Sequence, residues 1–100
     1  MNPRLFLDVD PRELHLPAER AEGADPAKLQ RQIAIYGNST RGMPVIEVYR
    51  GSDGHLQISN GVTRATRVAK LLPGQTVRVE VLDDLRTPVG QWPTVGDKLP

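Results

Sequence analysis

The sequence predicts a small α+β domain, a mixed sheet carrying two principal helices. Three observations carry that expectation. Gln75-Thr76-Val77-Arg78-Val79-Glu80-Val81-Leu82 sets Val77, Val79 and Val81 on one face and Thr76, Arg78 and Glu80 on the other, the period of two that marks a half-buried strand. Met43 to Arg50 and His55 to Ser59 are two more extended runs, joined by Gly51-Ser52-Asp53-Gly54, which has the composition of a hairpin turn. Two other windows carry helical spacing: Leu29, Ile33 and Tyr36 at i, i+4 and i+7, and Val62, Ala65, Ala69 and Leu72 along one face. A chain of 100 residues accommodates one such domain.

Taken in order, Leu5-Phe6-Leu7-Asp8-Val9 is an apolar run closed by Asp10-Pro11 and reads as a first strand ending in a turn. Leu14, Leu16 and Pro17 continue as an extended segment on the core. Ala18 to Ala24, polar and interrupted by Gly23, reads as a loop. Asp25-Pro26 then starts a helix, because aspartate caps the free N–H groups and proline fits the first turn without losing a needed donor. Gly37 stops it by supplying a left-handed residue. Asn38-Ser39-Thr40-Arg41-Gly42 is a polar loop, either a binding loop or a plain connection. The proline-led strand Met43 to Arg50 follows, and Asp53-Gly54 supplies the positive φ angles of the hairpin turn. The returning strand runs straight into a helix that extends to about Leu72, and Pro73-Gly74 breaks it before the valine-rich strand. Beyond Asp83-Asp84 the composition changes: Pro88, Pro93, Pro100, Gly90 and Gly96 mark residues 86–100 as a C-terminal tail. Residues 1–85 form the domain. Trp92 lies in the tail and either docks on its own domain or meets a protein partner.

Composition narrows the chemistry. The 13 Lys and Arg nearly balance the 12 Asp and Glu, so the broad basic footprint of a dedicated duplex-DNA binder is missing. Arginine outnumbers lysine ten to three; this suits bidentate contacts to phosphate or carboxylate, and a G+C-rich genome gives the same bias. With no cysteine there is no disulfide, thiol nucleophile or cysteine-ligated metal. No stretch approaches the roughly 18 apolar residues of a membrane span, so a soluble, cytoplasmic protein without a membrane partner is expected. The chain reads equally as a whole small protein or as a domain of a longer one.

One stretch has a coherent chemical use. Ser59-Asn60-Gly61-Val62-Thr63-Arg64-Ala65-Thr66-Arg67 takes a strand into a helix through an asparagine and a glycine. A helix start leaves its first N–H groups pointing outward with partial positive charge, where a phosphate or carboxylate is held by the backbone, and Arg64 and Arg67 add side-chain charge. The plainer reading makes Ser59 or Asn60 the N-cap, gives Gly61 the turn and leaves both arginines in water. Other constellations are weaker. His15 and His55 fall in separate extended segments with no serine at a nucleophile turn, which argues against a triad. No carboxylate stands at metal-ligand spacing from either histidine, so no metal site is expected. Asp8 with Asp10, and Asp83 with Asp84, are strand-end pairs that read as turn formers before they read as acid, base or metal ligand.

The order of these elements resembles the ParB/sulfiredoxin-like fold. The pattern "SI…G…P-I-x-V…D-G…x-I-x-x-G-x-x-R…A…L…G…V-x-V" of that family is matched by Gln32-Ile33, Gly37, Pro44-Val45-Ile46-Glu47-Val48, Asp53-Gly54, Ile58, Gly61-Val62-Thr63-Arg64, Ala69, Leu72, Gly74 and Val77 to Val81. The resemblance covers residues 5 to 84. It implies that Gly61 and the helix start hold nucleotide phosphates and that Arg64, ending G-x-x-R, assists, with Thr63 beside it. The ligand set expected is Asn60, Gly61, Thr63, Arg64 and Arg67, with Thr40 and Arg41 closing the site. A nucleotide, with magnesium as its counter-ion, or a nucleic-acid backbone is the implied partner, and a nuclease or NTPase the implied activity class.

The sequence departs from the family at the same turn. Sulfiredoxins carry a cysteine after the glycine where this chain has Val62, which excludes sulfinate reduction. CTP-hydrolysing ParB proteins carry a glutamate and a further arginine where Val62 and Thr63 stand. The helix-turn-helix and dimerisation regions of partition proteins do not follow in this sequence, so the likeness is to small stand-alone or toxin-associated ParB-like domains. Two functions are therefore expected: a phosphate-ligand domain, or a non-catalytic interaction module of a toxin, phage or adaptor system that binds through the tail and Trp92 or through the exposed face of Gln75 to Leu82.

Overall fold

The computed structural model describes residues 3–100. Strands β1 (Leu5–Val9), β2 (Ile46–Arg50), β3 (Leu56–Asn60) and β4 (Val77–Asp84) form a mixed sheet in the order β1-β4-β2-β3, with helices α1 (Pro26–Tyr36) and α2 (Val62–Leu71). The chain is thus a small α+β domain with two principal helices. β2 and β3 make the expected antiparallel hairpin, α2 crosses over the sheet, and β4 returns parallel to β2. β1 closes the far edge antiparallel to β4.

The alternation read from the sequence decides which face is buried. Val77 and Val79 of β4, Ile46 and Val48 of β2 and Ile58 of β3 meet Ala65, Val68 and Ala69 of α2 in one core. α1 packs on α2 and buries only Leu29, leaving Ile35 and Tyr36 exposed at its C-terminal end. The opposite face of the sheet is mixed, with Phe6 and Tyr49 standing among charged and polar side chains. Asp8 stands directly opposite Arg78 and pairs with it, and Arg4 reaches Glu80 through two 2.9 Å hydrogen bonds.

Several element bounds differ from expectation. β2 begins at Ile46, three residues after Met43, because the segment ahead of it carries Pro44 and turns at Gly42, where φ is +70°. β4 runs on through Asp83 and Asp84, held by Arg50, whose guanidinium donates to the Asp84 carboxylate at 2.6 Å. In the hairpin turn only Gly54 has positive φ, at +83°. Asp53 keeps an ordinary backbone and uses its carboxylate instead, accepting from the N–H groups of His55, Val89 and Gly90. Ala18–Arg20 forms a single turn of 3-10 helix within the expected loop.

Residues 86–100 lie along the domain. The segment Leu14 to Leu16 runs beside β3, with His15 N–H donating to the Leu56 carbonyl and the Ile58 N–H to the His15 carbonyl, both at 2.9 Å. On its other side Leu16 donates to Pro93 and Val95 to Leu14, both at 2.8 Å. Val89 and Val95 are buried by this docking and Trp92 is half-buried. Among the described residues no helix is long and apolar enough to cross a membrane.

Candidate functional site

β3 delivers the chain to Gly61, the N-cap of α2, in a left-handed conformation with φ +118°. A side chain there would be strained by that φ, and a Cβ would sit 3.0 Å from Nη2 of Arg64 and 3.1 Å from Cγ1 of Ile46. No side chain caps the helix. The first intrahelical bond is Ala65 N–H to the Gly61 carbonyl at 2.9 Å, so the N–H groups of Val62, Thr63 and Arg64 have no helical acceptor. Neither Ser59 nor Asn60 takes the capping role. The Asn60 amide donates to Glu47 across the hairpin at 3.3 Å.

These uncapped groups face a pocket of about 340 Å³ lined by Asn60, Gly61, Thr63 and Arg64, together with Arg20, Lys28 and Glu19. Three cations against one lining carboxylate complement the positive end of the α2 dipole. Arg20 and Lys28 were not legible as site residues, since nothing in their local sequence marks them. The 3-10 turn at Ala18–Arg20 and the first turns of α1 carry them there.

Of the two arginines of α2, Arg67 is buried and Arg64 half-buried. Arg64 folds back over Gly61, and Nη2 donates to the Val45 carbonyl at 3.2 Å. Burial draws its guanidinium below the usual arginine range, opposed by the charge of Glu47. Arg67 is 2% exposed: Nη1 donates to the carbonyls of Gly37 and Ser39 at 2.8 Å each, Nη2 lies 3.6 Å from the Met43 sulfur, and Tyr36 offers its ring face at 5.3 Å. Nε of both arginines and Oε1 of Gln32 are buried without partners. Among the described residues neither arginine has a carboxylate within ion-pair distance.

Arg64 and Gln32 also line a second pocket of about 240 Å³ that holds Arg41, Arg67 and Tyr36. The structure therefore places Asn60, Gly61, Thr63 and Arg64 in one pocket, and Arg41 and Arg67 in its neighbour across Arg64. Thr40 lies apart from both. Its hydroxyl accepts from Gln75 at 3.4 Å, in a depression beside Val77.

Of Glu47, His55, Asp53 and Asp8, Glu47 alone stands at the site, through Asn60. His55 and Asp53 precede the opposite end of β3, whose five residues span on the order of 15 Å. Asp8 is across the sheet, paired with Arg78. Among the described residues no three His, Asp or Glu side chains cluster to hold a metal ion. The donor set does not fit a protein-held magnesium ion, which needs carboxylate or carbonyl oxygens at near-octahedral geometry.

His15 and His55, distant in sequence, meet in the fold. Nδ1 of His15 lies 2.6 Å from the Trp92 carbonyl, which can only accept, so that nitrogen carries the hydrogen. Nε2 of His15 lies 3.0 Å from Nδ1 of His55, within hydrogen-bond distance. The pair ties β3 to the C-terminal segment. Comparison with known proteins finds no family model and no curated protein that matches this chain.

Proposed function

We propose that the chain is a ParB/sulfiredoxin-like domain that binds a phosphate-bearing ligand, a nucleotide or a nucleic-acid backbone, at the start of α2. One observation carries the reading: the uncapped N–H groups of Val62, Thr63 and Arg64 open into a pocket lined by Arg20, Lys28 and Arg64. The backbone supplies directed donors at fixed positions, the helix dipole adds positive potential, and the side chains neutralise the remaining charge. Gly61 lets the chain turn tightly enough for an anion to approach. Thr63 contributes a hydroxyl beside it.

Binding is the whole of the function proposed. Val62 offers no nucleophile, and Glu47 is engaged by Asn60 and close enough to Arg64 to influence its charge. Titration with orthophosphate, CTP and a short single-stranded oligonucleotide tests the reading, with amide shifts followed throughout. Shifts centred on residues 61–64 are expected. If those amides stay still with all three, the site does not bind phosphate.

A further inference from the structure

The pocket at the start of α2 adjoins another depression, of about 420 Å³, with which it shares Pro17, Glu19 and Ser59. Tyr49 and Trp92, the only tryptophan of the chain, line this second space. Tyr49 stands opposite Gln57 in the β2–β3 ladder, both on the face turned away from buried Val48 and Ile58. Trp92 is brought there by the docked C-terminal segment, through the His15 bond to its own carbonyl and the Leu16 bond to Pro93. Both aromatic residues are half-buried, so each is anchored and still presents surface. The Gln57 amide donates to the Leu16 carbonyl at 3.1 Å, which fixes its orientation and leaves Oε1 free to accept.

We propose that this depression takes the base of the nucleotide neighbouring the one whose phosphate is bound at α2, so that the site binds single-stranded nucleic acid in preference to a free mononucleotide. The inference rests on the phosphate reading above. Every base has a π face, and proteins that hold single strands combine cations along the backbone with aromatic platforms for the bases. Here the two halves are separated in the same way. Of the two adjoining spaces, Arg20, Lys28 and Arg64 line the α2 pocket, and Tyr49 and Trp92 the other. Glu19, shared by both, opposes an anion on the aromatic side, which orients the ligand with its phosphate at the helix. A paired base in a duplex has both faces covered, and the chain's net charge of +1 gives duplex DNA little attraction.

Trp92 reports its own site. The full chain is titrated with thymidine monophosphate and with a hexamer of thymidylate while Trp92 fluorescence and the amides of residues 61–64 are followed. The hexamer should quench Trp92, shift those amides and bind at least tenfold tighter than the monophosphate. Trp92→Leu should lose roughly tenfold to a hundredfold of the hexamer's affinity and none of the monophosphate's, the range expected for one stacked base, while Trp92→Phe keeps most of it. Tyr49→Leu, on the strand, should repeat the loss even if the Trp92 variant loosens its segment. Equal affinity for the two ligands, with the amides of 61–64 still shifting, overturns the aromatic subsite and leaves the phosphate site standing. Unshifted amides with both ligands overturn both. Quenching by a proline-rich peptide and not by the hexamer makes the groove a peptide site.

Discussion

Arg67 and Gly37 are joined by a 2.8 Å hydrogen bond in which the guanidinium donates to the carbonyl at the C-terminal end of α1. A helix C-terminus gathers unpaired carbonyls and partial negative charge, and Arg67 answers both for α1 and for Ser39 in the loop that follows. A buried arginine therefore joins the two helices. Arg67→Met fills similar space but leaves those carbonyls without their donor, which costs about 2–4 kcal/mol. In a domain of this size that lowers Tm by roughly 10 °C or more. A thermal melt at neutral pH checks it, and an unchanged Tm would assign Arg67 to ligand binding alone.

Gly61→Ala tests the turn. The new methyl group meets Arg64 and Ile46 at 3.0 and 3.1 Å while the backbone stays at φ +118°. The strain costs about 1–3 kcal/mol. Ile46 is core and cannot yield, so the Arg64 guanidinium is the group that moves, giving up the Val45 carbonyl. Lower stability together with a shifted Val45 carbonyl resonance is expected. A melt identical to the wild type would show that the glycine is not required by the turn.

Arg20 and Lys28 are exposed and take part in no hydrogen bond or ion pair among the described residues that their side chains donate. Arg20→Ala and Lys28→Ala should therefore leave Tm unchanged. Each should weaken orthophosphate or CTP binding by roughly twofold to tenfold, more at low salt than at 0.5 M, because exposed charges are screened. Isothermal titration at two ionic strengths measures it. Equal affinities for the wild type and the double variant would remove these two residues from the site.

The sequence made the elements legible because each carried its own local signal: Asp25-Pro26 to start α1, Gly37 to stop it, Asp53-Gly54 for the hairpin and the Val77, Val79, Val81 alternation for β4. The turn at Gly61 was legible for the same reason. The environment of its arginines was not. Whether Arg67 points to water or into the protein depends on where the end of α1 packs, and no spacing within α2 encodes that. The meeting of His15 with His55 is likewise a product of pairing between the Leu14 to Leu16 segment and β3. Residues 86–100 read as a tail because prolines and glycines suppress strand and helix signals, yet backbone bonds at Pro93 and Val95, the Asp53 carboxylate and the burial of Val89 and Val95 dock them. Truncation at Arg86 would expose core, so point substitutions are the better probe of this segment.

Asp53 makes that docking sensitive to acid. Its Oδ2 accepts from Gly90 N–H at 2.9 Å, and Oδ1 from Val89 and His55 at 3.3 Å. Desolvation pushes the carboxyl up, but the backbone donations from Gly90, Val89 and His55 outweigh it and hold its pKa below the ordinary 3.8. A depressed folded value means that the stabilisation is complete above the unfolded pKa and is lost as pH falls through the folded one. Asp97, lowered by its bonds to Thr94, adds to the same trend farther along the segment. Amide shifts of Val89 and Gly90 and the fluorescence of Trp92 should therefore change together below about pH 4. Asp53→Asn keeps an acceptor oxygen but no charge, so it should loosen Val89 and Gly90 at neutral pH and flatten their response to acid, while Thr94 still follows Asp97. A wild-type segment whose amides and fluorescence are the same at pH 3 and pH 6 would mean that the Asp53 carboxylate does not hold it.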